Sequence, residues 1–156
     1  MPSTPADEDF EAEVEAVMRA ARTLVAITAQ AMAGVEDVVT LPQFRVLVMA
    51  SAERSLNLRS VAAGLGVHPS NATRACDRLV AVGLLDRRED PGDRRQIILT
   101  LTEAGRQLIG SVMERRRTAI GGVLKEIPAD GRGTLTDGLN AFSAAAERLH
   151  GKPSPG

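Results

Sequence analysis

Aromatic residues are almost missing from this 156-residue chain: Phe10, Phe44 and Phe142 are the whole set, with no Trp or Tyr. A core built from Ala, Val, Leu, Ile and Met suits close-packed helices better than a β-sandwich. A single cysteine, Cys76, excludes an internal disulfide framework. That cysteine and two distant histidines, His68 and His150, do not make a metal site. No apolar run approaches the roughly 20 residues that span a bilayer. The opening MPSTPADEDFEAE is acidic where a signal segment would be basic, so a cytoplasmic chain is expected. No base stands beside a nucleophile in a convergent set, so neither an enzyme nor a cofactor is expected. GLG at 64–66 is a turn, because no Gly-Lys-Ser/Thr follows it.

The net charge of −1 is unevenly spread. Residues 1–53 hold three basic and nine acidic groups, whereas 54–95 hold eight basic and five acidic. This asymmetry is a signal of a partner, and equally the pattern of a mixed solvated surface.

Apolar residues at Val14, Val17, Met18, Leu24, Val25, Ala29 and Met32 recur at helical spacing, predicting a long amphipathic helix over 7–33. Acidic residues crowd its first turns, as the helix dipole favours. Met18, Met32, Met49 and Met113 read as core filler. Thr40 and Gln43 form a capping-box pattern opening a second helix. Short helices follow over 57–65 and from Pro69 to about 82. Two strands then flank DRREDPGDRR at 86–95, with Ile97, Leu99 and Leu101 on one face. Thr102 reads as the cap of a long helix to about 127, weakened near its end by Gly121-Gly122. A last helix follows Pro128, and the ends at 1–6 and 151–156 read as flexible tails.

In LRSVAAGLGVHPSNATRACDRL, 58–79, Gly66 supplies a positive-φ turn between two helices that approach closely at Ala62. Ala72, Ala75, Cys76 and Leu79 form the buried face of the second. This is the pattern of a helix-turn-helix. The buried set leaves Ser70, Asn71, Thr73, Arg74, Asp77 and Arg78 outside. Asn71, Arg74 and Arg78, at i, i+3 and i+7, make one column. Asn reads adenine and Arg reads guanine in the major groove, while Ser and Thr reach phosphates or bases. His68, just before the helix, is placed to cap it or to touch phosphate. The hairpin that follows reads as a wing, with Pro91-Gly92 turning at its tip and Arg95 available to a narrow minor groove. Asp93 is expected to hold the Arg95 guanidinium in one orientation. Cys76 lies in the apolar column and reads as inert packing. ERRR at 114–117 points to three sides of its helix and reads as solvated or as a rim contact.

Residues from about Leu41 to Leu108 closely resemble the MarR (multiple antibiotic resistance regulator) family of bacterial transcription factors. The resemblance rests on LPQFRVL, VAAGLGVHPSNATRACDRLVAVGLLDR, the wing string DPGDRRQIILTLT and the following EAGRQL. It implies a mainly α fold with a small β-hairpin wing: a winged helix-turn-helix lobe over 40–101, flanked by dimerisation helices over 7–33 and 102–150. The first and the last two helices would interleave in an obligate homodimer. The family's wing arginine falls on Arg95 and its orienting acid on Asp93, with Arg94 a neighbouring phosphate contact. Members bind pseudo-palindromic double-stranded operators, usually as repressors, and many release DNA on binding a small anionic or aromatic effector. Position in the family places that pocket near the end of the first helix, Phe44, Arg45 and the start of the long helix. The alternative is a winged-helix protein-interaction module without sequence-specific DNA binding.

Overall fold

The computed structural model describes residues 5–53, 56–93 and 95–150. Among them the order is α1 (Pro5–Ala31), α2 (Leu41–Ala52), α3 (Leu58–Leu65), α4 (Pro69–Ala81), β1 (Leu85–Glu89), β2 (Ile97–Leu101), α5 (Glu103–Lys125) and α6 (Ala129–His150). Local chemistry sets most of these boundaries. Gln43 N–H donates to Thr40 Oγ1 at 3.4 Å and Gln43 Oε1 accepts the Thr40 N–H at 2.9 Å, the reciprocal capping box. Asn57 Oδ1 accepts the Ser60 N–H at 2.9 Å to open α3, and Thr102 Oγ1 accepts the Gly105 N–H at 3.0 Å to open α5.

Three boundaries differ from expectation. The first helix already runs from Pro5, inside the tail expected over 1–6, and stops at Ala31. Gly34 at φ 85° turns the chain soon afterwards. The first strand runs from Leu85 to Glu89, into the charged string that the two strands are expected to flank, with Gly83 at φ 76° still turning the chain out of α4. The α5 helix runs unbroken through Gly121-Gly122, since two glycines weaken a helix without the clash that Pro brings. Residues 1–4 and 151–156 of the expected tails lie outside the described residues.

The core gathers around α2, where Val46 and Leu47 are fully buried. Against it lie Val61 of α3, Cys76 and Leu79 of α4, Leu85 of β1, Leu99 of β2 and Val112 of α5. The hairpin is antiparallel, with Leu85 opposite Leu101, Arg87 opposite Leu99 and Glu89 opposite Ile97. A two-stranded ribbon alone is marginal in water. Here Leu99 sinks into the core and its N–H donates to the Leu56 carbonyl at 2.7 Å, so Leu56 adds a one-residue third rung.

Not every apolar position expected inside is inside. Within α1 the buried residues are Ile27 and Ala31, while Val14, Val17, Met18, Leu24 and Val25 are exposed. Met18 is therefore not core filler within the chain, unlike Met32 and Met49. The described side chains of α6 include none that is buried, and its Leu139, Phe142 and Leu149 are exposed. No described helix is long and apolar enough to cross a membrane.

Candidate nucleic-acid interface

The helix-turn-helix is α3, a three-residue connection and α4. Gly66 sits in the left-handed region at φ 66°, and its N–H and that of Val67 close back on Ala63 and Ala62 at 3.2 and 3.1 Å. Pro69 then occupies the first position of α4, where its missing N–H costs nothing. His68 is the N-cap: its Nδ1 accepts the Ser70 N–H at 3.3 Å and lies 2.9 Å from Ser70 Oγ. An Nδ1 acceptor leaves Nε2 carrying the proton as an outward donor.

Ala72, Cys76 and Leu79 are fully buried and Ala75 half-buried, so α4 presents the face expected of it to the core. Ser70, Asn71, Arg74 and Arg78 are exposed. Thr73 is half-buried and its hydroxyl donates to the Pro69 carbonyl at 3.0 Å. Its proton is thus spent inside the helix and only its lone pairs remain for a ligand. Asp77 forms an ion pair with Arg87 of β1, tying α4 to the first strand of the wing. Residue spacing along α4 alone carried no sign of this pairing, because its partner lies ten positions away in another element.

Two aspartates build the wing tip. Asp90 Oδ1 accepts the Gly92 N–H at 2.7 Å, and Asp93 Oδ1 accepts the Arg95 N–H at 3.0 Å. The Asp90 N–H donates to the Gln96 carbonyl at 2.9 Å and the Gln96 N–H to the Asp93 carbonyl at 2.8 Å. Asp93 Oδ2 takes the Gln96 side-chain amide at 3.4 Å. The described bonds of Asp93 thus go to the Arg95 backbone and to Gln96. A carboxylate two residues upstream reaches a backbone N–H most easily, closing an Asx turn. Arg94 lies outside the described residues.

The expected effector environment is also altered. Phe44 is buried in the core, and Arg45 Nη2 donates to the Gly64 carbonyl at 3.0 Å, joining α2 to the last turn of α3. Arg115 donates to the Ala33 carbonyl just past the end of α1, so one residue of the ERRR string bonds within the chain. Cys76 is fully buried. Burial pushes its thiol up to about 11, with Arg87 opposing and Asp77 adding to the rise. Thiolate is the reactive form, so alkylation by iodoacetamide at pH 8 should be slow in the native protein and fast in denaturant. Equal rates would contradict the burial. Because the folded thiol holds its proton more tightly, stability should be unaffected by this group below about pH 9 and fall as pH rises from there through 11.

Residues 39–97 match the family model described as MarR family. The chain is 26% identical over 108 residues to the HTH-type transcriptional regulator YfiV of Bacillus subtilis, covering 69% of this chain and 68% of that protein. It spans between about half and two thirds of the curated relatives first matched. The crystal structure of RV1404 from Mycobacterium tuberculosis is similar at TM-score 0.80 and 36% identity, covering 97% of this chain and 98% of that one. That of CouR from Rhodococcus jostii RHA1, bound to p-coumaroyl-CoA, is similar at TM-score 0.60 and 29% identity, covering 81% and 87%.

Proposed function

The chain belongs to the MarR family of transcriptional regulators and carries its winged-helix DNA-binding fold, and from that premise we propose that it is a homodimeric, sequence-specific repressor of a pseudo-palindromic operator. The observation that carries the reading is the outer face of α4. Among the described residues Arg87, Arg88 and Arg106 are matched by Asp77, Asp86 and Glu103. Arg74 and Arg78 stand exposed beside Asn71, and among the described residues no ion pair occupies them. They set three donors on one exposed helix face, the chemistry that base edges and phosphates accept. In this reading Asn71, Arg74 and Arg78 meet the major groove, and Ser70 and the His68 Nε2 proton meet the backbone. Arg95 enters the minor groove, with Arg94 on a neighbouring phosphate.

Dimerisation is supported by the apolar surface left outside the core. Phe10, Val14, Val17 and Met18 of α1 share an apolar groove with Phe142 of α6. An exposed patch of this kind marks an interaction site, and a second copy that covers it would also set the spacing of the two recognition helices to about one DNA turn. Release by a small anionic or aromatic effector is the further part of the proposal; the similarity to CouR, whose structure holds p-coumaroyl-CoA, supports that chemical class.

The test is binding to the chain's own upstream intergenic DNA against a random duplex, titrated over salt. A saturable preference for the specific duplex is expected. Arg95→Ala should reduce that binding by roughly 1–3 kcal/mol, mostly as lost discrimination. Equal binding to both duplexes would sink specificity for that region. Failure of either duplex to bind at low salt would favour the protein-interaction module.

A further inference from the structure

An open cleft of about 460 Å³ lies between the start of α3 and the tip end of the second wing strand, lined by Asn57, Leu58, Arg59, Arg95, Gln96 and Ile97. Two arginines therefore border one concavity. Arg59 is exposed in the first turn of α3, where the positive end of the helix dipole disfavours a cation. Arg95, which lines the same cleft, carries like charge. Among the described residues neither guanidinium is matched by a carboxylate. Asp93, the acid closest in sequence to Arg95, has Oδ1 engaged by the Arg95 N–H and Oδ2 by Gln96. Local physics thus opposes the arrangement at three points, and an anion in the cleft relieves all three.

We propose that Arg59 and Arg95 bracket one stretch of DNA backbone, with Arg59 holding the phosphate that flanks the minor groove entered by Arg95. The inference rests on the DNA-binding reading above and adds to it a contact outside the recognition helix and the wing tip. DNA is the occupant because the cleft is continuous with the wing: Arg95 and Gln96 belong to both. Arg59 reads no base in this arrangement. Its contribution is charge placed at a fixed distance from the wing.

Salt titration distinguishes that role. Each phosphate contact contributes about 0.9 to the slope of log K against log salt, or roughly eightfold in affinity at 0.1 M relative to 1 M salt. Arg59→Ala should lower the slope by about 1 per bound protomer and weaken specific and random duplexes alike, leaving their ratio unchanged. Arg59→Lys should restore the slope, since a phosphate accepts either cation. A thermal melt of each variant matching the native chain separates this from misfolding. An Arg59→Ala variant with the native slope overturns the proposal. So does a loss confined to the specific duplex, because that would make Arg59 a base reader. A native protein that binds neither duplex overturns instead the DNA-binding reading beneath it.

Discussion

Replacing Gly105 with Ala should destabilise the protein by roughly 3 kcal/mol, the upper end for overpacking a close contact. A Cβ at this position would stand 2.3 Å from the Leu84 carbonyl oxygen and 3.0 Å from Leu101 Cδ2. The first obstacle is backbone, so no rotamer change relieves it. The first turn of α5 must move away from the end of α4, and the bonds at that junction go with it. Thr102 Oγ1 donates to the Gly83 carbonyl at 2.7 Å, and the Thr102 N–H donates to the Leu84 carbonyl at 3.2 Å. This junction fixes the angle between a helix proposed to dimerise and the helix proposed to read DNA. Urea unfolding of Gly105→Ala should therefore show a lowered midpoint, and the folded fraction should bind DNA less tightly. Gly110→Ala is the matched control, because a Cβ there meets nothing within 4 Å. It should be neutral or stabilise by up to about 1 kcal/mol through helix propensity. Equal behaviour of the two variants would contradict the close approach at Leu84.

Leu99→Ala should cost about 3 kcal/mol, within the range for emptying a fully buried leucine site. More than core volume is at stake. Leu99 anchors the second strand of the wing in the core, as Leu85 does the first, and its backbone also holds the Leu56 rung. Loosening it should free the hairpin from α2 and raise hydrogen exchange at the Leu99 amide ahead of global unfolding. Ile97, two residues nearer the tip on the same strand, is 44% exposed. Ile97→Ala should cost under about 1 kcal/mol. If the two substitutions are equally costly, the wing is not held by Leu99.

Part of this molecule is legible residue by residue. The Thr40–Gln43 box, the Thr102 cap, the Gly66 turn and the buried face of α4 are each set by groups within about one helical turn of one another. Periodicity and capping chemistry report such contacts directly. That is why the helix-turn-helix and the wing are legible in the sequence.

The rest depended on partners distant in the chain. EAGRQL shows a glycine at 105 but not the Leu84 carbonyl against which it packs. Leu56 looks like loop until it is found bonded to Leu99. Asp77 looks like one more solvated acid until Arg87 is placed beside it. Asp93 is one more acid beside an arginine in the sequence, and in the folded wing it closes the backbone turn. The α1 periodicity marks an apolar stripe along the whole helix, but not that only its last turns are covered within one chain. The sequence by itself determined the local elements and the exposed face of α4, because those follow from contacts along one helix or turn. Tertiary structure alone decided how the wing is fastened, how α5 meets α4 and which apolar stripe is left for a partner, because those contacts join residues with no shared periodicity.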